Sequence, residues 1–256
     1  MMTFANKTAS PWLLSEPSHR DVLRIFCLPY AGGGASMYRG WEQSLPAGTG
    51  WYPIQLPGRE NRMAEPSRTD MSALVEDIAT AIAPYLQPPF ILLGHSLGAR
   101  VAFELARQLR RSSKPQPCRL VVSGSRAPHI PEPRPLHKLP DEAFVQELRR
   151  FSGTPEAILQ NKELMDLFLP ILRADFTLDE TYVYSEENEL GCAISAFAGT
   201  SDPEANREEM KAWSGCTNGA FTLEMIEGGH FFVKTNTAPL LNSLASIVRE
   251  HMERRA

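Results

Sequence analysis

The chain has 256 residues, 43% apolar and 22% charged, an ordinary globular composition that excludes disorder as a description of the whole. An α/β domain commonly reaches this length and buries roughly three-quarters of its unfolded surface, so no disulfide or metal staple is needed. Twenty-six Lys and Arg against 30 Asp and Glu give a net charge of −4, which argues against a dedicated nucleic-acid binder.

Four cysteines, Cys27, Cys118, Cys192 and Cys216, form no CxxC pair and read as reduced thiols. The first 21 residues lack a basic stretch followed by an apolar one, and no run approaches the roughly 18 to 20 apolar residues of a membrane span. A soluble, cytoplasmic, monomeric protein is expected, with neither membrane nor nucleic acid as partner.

In chain order, a strand is predicted over 23–28, ending at Pro29-Tyr30-Ala31-Gly32-Gly33-Gly34. A second follows over 51–56, and Pro53 places it near a sheet edge. Leu74, Ile78, Ile82 and Leu86 recur at helical spacing after Asp70, a good N-cap. Phe90-Ile91-Leu92-Leu93 suits a central strand buried on both faces, with a helix after it to about Arg111. Residues 120–122, 193–197 and 221–226 read as further strands, the last near the sheet's far side, and 238–253 as an amphipathic helix. Alternating strands and helices indicate a mostly parallel α/β sheet.

Residues 128–187 break the rhythm. Five prolines between Pro128 and Pro140 lead into short helical pieces, with Thr154-Pro155-Glu156 as a helix start and Pro170 as a kink. The division is therefore a core of 1–127 and 188–256 with a helical insertion at 128–187.

The strongest chemical signal is Gly94-His95-Ser96-Leu97-Gly98, a G-x-S-x-G between a buried strand and a helix. The glycines permit a strained turn that exposes Ser96 as a nucleophile, and the helix N-terminus offers the Leu97 N–H to a developing negative charge. The plain alternative is a tight turn with an inert serine. Among six histidines, His230 in Gly228-Gly229-His230 follows a strand and suits a general base, whereas His95 should point away from Ser96. Asp202 in Ser201-Asp202-Pro203 follows a strand and would orient that imidazole; a helix N-cap is its plain alternative, and Asp175 and Asp179 are rivals inside the insertion. The glycine run after the first strand offers a second oxyanion donor, Ala31 N–H first and Gly32 next. Neither GxGxxG nor GxxxxGK[ST] is present.

Together LPYAGGGAS (28–36), QLPGRENR (55–62), GHSLGARVAFELA (94–106), LRADFTLDETYVY (172–184), FAGTSDP (197–203) and GGHFF (228–232) resemble the type II thioesterases that stand beside nonribosomal peptide and polyketide synthases. The resemblance spans about residues 23–250 and implies an α/β-hydrolase fold, a triad of Ser96, Asp202 and His230, and oxyanion donors at Ala31 and Leu97. It implies hydrolysis of stalled or wrong acyl thioesters from the phosphopantetheine arm of carrier proteins, with no metal or cofactor of the enzyme's own. A chain that opens on its own Met with no carrier domain ahead suits the free-standing, editing type. The insertion would be a lid over the acyl pocket. Carrier proteins are usually acidic, so Arg100, Arg107, Arg110, Arg111 and Lys114, with Arg126, Arg134 and Lys138, are a candidate docking face. Arg59 and Arg62 read as loop supports. The alternatives are a general carboxylesterase or lipase, a product-releasing cyclase, and a non-catalytic acyl-binding protein.

Overall fold

A computed structural model describes residues 10–151 and 156–254. The predicted helix start at Thr154-Pro155 lies outside the described residues. Six parallel strands form one sheet: β1 (Leu23–Leu28), β2 (Thr49–Pro53), β3 (Phe90–His95), β4 (Arg119–Ser123), β5 (Ala193–Gly199) and β6 (Phe221–Ile226). They lie in the order β2-β1-β3-β4-β5-β6. The fold class is α/β, as the alternating pattern predicts. β2 and β6 are the edges, in keeping with Pro53 and with the half-buried alternation of 221–226. β2 begins and ends earlier than predicted. Pairing of Leu23 with Thr49 recruits polar residues that an edge tolerates, and Ile54 turns away to bridge Leu13.

The pleat divides the core. Phe26 and Leu28 of β1, Phe90 and Leu92 of β3 and Val122 of β4 face one layer, with α1 (Met71–Ile82) and α2 (Leu97–Arg111). Ile25, Cys27, Ile91, Leu93 and Val121 face the other, beneath α8 (Ala238–Glu253). Alternate side chains of a central strand point to opposite faces, so both parities must be apolar there. Asp70 caps α1 through Ala73 N–H at 2.8 Å. None of the four cysteines is disulfide-bonded; burial pushes Cys216 up to about 12 and Cys192 to about 11, so neither is a ready thiolate.

Between β4 and β5 the chain carries α3 (Asp141–Phe151), α4 (Glu156–Leu159) and α5 (Lys162–Glu180). α5 continues through Pro170. Leu136, Phe144, Leu148, Leu159, Met165 and Leu172 form a small apolar cluster of their own. No helix among the described residues is long and apolar enough to cross a membrane.

Because this cluster is separate from the sheet's two layers, damage to it should stay local. Phe144→Ala removes a fully buried ring, a change that costs about 3–5 kcal/mol in a well-packed core. Amide hydrogen exchange should quicken in α3 and α5 and remain unchanged in β1 and β3. Uniform acceleration would mean that the cluster and sheet unfold as one unit.

Candidate active site

The chain runs from β1 outward to β2 on one side, then returns to place β3 on the other. Such a reversal leaves a crevice at the carboxyl ends of the two adjacent strands. The loop after β1 and the turn after β3 meet there, since Leu28 pairs with Gly94.

Ser96 occupies that turn at φ 55°, ψ −124°, the left-handed side that non-glycine residues avoid, at a cost of about 1–3 kcal/mol. The residues two positions to either side must be glycine. A Cβ on Gly94 would lie 2.0 Å from the Gly98 carbonyl oxygen, and one on Gly98 would lie 2.1 Å from that of Leu28. The turn is held by Ser96 N–H to Ser123 O at 2.8 Å and Ala99 N–H to Ser96 O at 2.9 Å. Leu97 is the first residue of α2, so its N–H has no partner within the helix.

His230 follows β6 and Asp202 follows β5. A close approach joins their loops: a Cβ on Gly199 would meet the carbonyl oxygens of Gly229 at 2.4 Å and Gly228 at 2.6 Å. Ser201 N–H bonds Gly228 O at 2.9 Å. The outcome is a line of side chains, buried at Asp202 and His230 and half-buried at Ser96. His230 Nε2 is 3.1 Å from Ser96 Oγ, and His230 Nδ1 is 3.0 and 3.1 Å from the two Asp202 oxygens. The serine–imidazole distance is within reach for proton transfer. Asp202 also accepts the Glu204 N–H at 2.8 Å, which fixes its plane. It caps no helix: the next one, α6 (Arg207–Lys211), is capped by Asn206 in a reciprocal box with Glu209. The rival carboxylates are engaged elsewhere, Asp175 by Arg59 at 2.6 Å and Asp179 by Arg100 at 2.7 Å.

His95 carries a contact that sequence reasoning missed. Its ring lies 5.1 Å from that of His230 and 6.0 Å from Tyr30, and its Nδ1 is 3.0 Å from Ser123 Oγ. Burial first, then the nearby His230 and Lys234, hold it well below the ordinary histidine range. A neutral ring therefore backs the one that would take up a proton. Adjacency to Ser96 in sequence concealed this, because the turn sends the two side chains to opposite sides.

A cavity of about 280 Å³ opens over Ser96 and His230. Tyr30, Ala31, Gly32 and Leu97 form one wall. Leu148 and Phe151 of α3 and Phe168, Leu172 and Phe176 of α5 form an apolar roof, with the Phe151 ring 5.8 Å from His230. Arg100, Arg126, Glu132, Asp179 and Glu204 make its other end polar. No cluster of three or more His, Cys, Asp or Glu among the described residues is placed to hold a metal ion.

Of the eight predicted basic residues, Arg111, Lys114, Arg134 and Lys138 are exposed, Arg110 is half-buried and three are withdrawn from the surface. Arg100, Arg107 and Arg126 are buried. Arg107 bonds Ser185 O at 2.6 Å and pairs with Glu104 and Glu187, each at 2.7 Å. Arg110 and Arg111 also pair with Glu187, at 2.9 and 2.7 Å. Helical spacing put these guanidiniums on one stripe, and the stripe is used to strap the 182–189 segment to α2. Arg134, Lys138 and Lys114 remain exposed. Arg62 is a loop support, bonding Gln55 O at 2.9 Å and lying over Trp12.

A thioesterase domain model matches residues 23–251. The chain belongs to the thioesterase family. It is 42% identical over 249 residues to the linear gramicidin dehydrogenase LgrE of Brevibacillus parabrevis, covering 95% of this chain and 94% of that protein. Among solved structures it is similar to the RedJ thioesterase from the prodiginine pathway of Streptomyces coelicolor, with a TM-score of 0.84 and 38% identity over 88% of this chain and 86% of that one. It is also similar to the type II thioesterase BorB from the borrelidin biosynthetic cluster, with a TM-score of 0.84 and 34% identity over 95% and 100% of the two chains. The thioesterase is thus a thioester hydrolase of α/β-hydrolase fold, with relatives among the type II thioesterases of peptide and polyketide synthases.

The environment of His95 makes stability depend on pH. An unfolded histidine titrates near 6.5, and the folded one well below that. As pH falls through 6.5 the unfolded chain takes up a proton that the folded chain refuses, so stability declines. His95→Gln keeps a partner for Ser123 and should show a shallower decline by urea unfolding between about pH 7.5 and 5.5. Parallel slopes for the two proteins would mean that folded His95 ionises normally.

Proposed function

We propose that this thioesterase is a free-standing editing enzyme that clears stalled or aberrant acyl groups from the phosphopantetheine arms of carrier proteins in a peptide or polyketide synthase. The observation that carries the reading is the line Asp202–His230–Ser96, buried at its carboxylate and imidazole, opening into a small, mostly apolar-roofed cavity. Ser96 is the nucleophile, His230 the general base and Asp202 its orienting carboxylate. Ala31 and Leu97 N–H groups are the oxyanion donors.

Ser96 Oγ attacks the thioester carbonyl carbon as His230 Nε2 takes its proton, and Asp202 stabilises the imidazolium. Charge gathers on the carbonyl oxygen against the two backbone donors. The carbon–sulfur bond breaks and the imidazolium returns the proton to the departing sulfur. That departure is easy because a thiol has a pKa of about 8.5. A water, losing its proton to His230, attacks the acyl-serine; Ser96 leaves with that proton and the free acid departs. The steps use no metal or organic cofactor of the enzyme's own.

Residues 128–187 serve as a lid over the acyl chain, the role that the apolar roof supports. A cavity near 280 Å³ is at the low end of small-molecule sites, which favours short acyl groups over a peptide folding back on itself. That counts against a cyclase. LgrE is named a dehydrogenase, but the run after β1 in this chain, Tyr30-Ala31-Gly32-Gly33-Gly34, is not the GxGxxG that cradles a dinucleotide.

The test is single-turnover mass spectrometry of an acetylated carrier protein, with acetyl-coenzyme A and p-nitrophenyl acetate in parallel. Wild type should deacylate the carrier fastest. Ser96→Ala should lose about 10⁴-fold or more, and Asp202→Asn a comparable amount. Cleavage of the p-nitrophenyl ester with no action on the carrier would make this an ordinary esterase.

A further inference from the structure

The loop that carries Ala31 is gripped from an unexpected direction. Asp175, on α5, is only 1% exposed, yet its carboxylate accepts three N–H groups. Two come from Arg59, at 2.6 and 2.8 Å, and the third is the backbone N–H of Gly32, at 2.7 Å. Arg59, also buried, donates to Gly33 O and Pro57 O, both at 3.2 Å. Gln55 extends the frame, accepting from Ala35 N–H at 2.8 Å and donating to Arg59 O at 3.0 Å. Leu172, one helical turn before Asp175, presses on Gly32, where a Cβ would lie 2.6 Å from its Cδ2 at a backbone φ of +77°.

A buried ion pair is a poor device for stability, because removing two charges from water offsets most of their attraction. Here the carboxylate does something a hydrophobic pair could not: it orients a peptide group. The Ala31–Gly32 peptide is planar, so directing the Gly32 N–H sets the Ala31 carbonyl and limits how the Ala31 N–H can turn. It also takes Gly32 N–H out of contention as an oxyanion donor. A bare carboxylate beside a developing oxyanion would oppose it, and the Arg59 charge cancels that opposition.

We propose that Asp175, neutralised by Arg59, is a positioning residue: through Gly32 it aims the Ala31 N–H at the reacting oxygen and makes acyl transfer depend on α5 being seated. The inference rests on the triad and oxyanion assignment above. Arg59→Met/Asp175→Leu replaces the pair with apolar side chains of similar bulk, sparing stability while losing the acceptor. Thermal unfolding, kcat and KM on an acyl thioester, and affinity for an alkyl boronic acid, whose Ser96 adduct places an anionic oxygen at the donors, are measured together.

The double variant should melt near wild type with KM within about three-fold, while kcat and boronate affinity fall in parallel by about 30- to 100-fold, less than the 10²–10³ for deleting a donor outright. Asp175→Asn keeps the volume, but with its oxygen on Gly32 N–H and Arg59 Nη1 its amide nitrogen would face the Arg59 Nη2 donor, and it should lose about ten-fold in both quantities. Wild-type kcat and boronate affinity in either folded variant, or a kcat loss without a boronate loss, would overturn the proposal and leave the pair purely structural. Ser96→Ala run alongside separates the cases: activity surviving there would refute the active-site reading itself.

Discussion

Everything at the site depends on how closely α2 approaches the carboxyl edge of β1 and β3. Gly98 lies against the Leu28 carbonyl and Gly94 against the Gly98 carbonyl, at separations no side chain could share. That proximity forces the chain to reverse within one residue, and the reversal falls on Ser96. The strain is sustained because the flanking strand and helix are both buried and over-determine the turn. The same approach brings the head of α2 opposite the loop after β1, so Leu97 and Ala31 face one cavity. One packing contact therefore presents the hydroxyl and brings the Leu97 and Ala31 backbones to the same cavity.

The charges along α2 follow a second logic. Arg100, Glu104, Arg107 and Arg110–Arg111 recur along α2 at the spacing of a core stripe. Each meets the returning chain in turn: Arg100 the Asp179 carboxylate, Glu104 the Tyr182 hydroxyl at 2.7 Å, Arg107 the Ser185 carbonyl, and Arg110 the Asn188 and Glu189 carbonyls. An irregular segment has carbonyls that no ladder satisfies, and guanidiniums supply several donors apiece. A polar stripe is the economical way to bind such a segment to a helix, whereas an apolar stripe would leave those carbonyls unpaired.

This division explains what could be read from the residues alone. Strands β1, β3, β4, β5 and β6 and helices α1, α2 and α8 were legible because burial imposes a period, and the meeting of Ser96, Asp202 and His230 because each follows a strand at the same edge. The rival acids could be set aside for lying outside that pattern. Arg107 read as part of an exposed face yet is buried, because charge in a sequence carries no sign of its partner: Glu187, which it shares with Arg110 and Arg111, lies 76 to 80 positions away. Likewise Asp175 and Arg59 are 116 residues apart, and no local periodicity joins them. The proximity of His95 to His230 was hidden for the opposite reason, since its nearness to Ser96 in sequence suggested a side chain with no business at the site.

The hold on α5 is uneven along its length. Its second half is tied by Asp175 to Arg59 and Gly32, by Asp179 to Arg100, and by Glu180 to the N–H groups of Leu136 and His137. Its first half leaves Leu164 and Leu167 partly exposed and relies on the small cluster around Phe144. Pro170, at the junction, cannot donate to the carbonyl four residues earlier, so the two halves are joined by one hydrogen bond fewer than a regular helix. Local opening starts where few apolar contacts and no buried ion pairs oppose it. The roof over the cavity can therefore loosen at α3 and the start of α5 while Leu172 and Asp175 stay seated on Gly32, which separates access to the cavity from the alignment of the proposed donors.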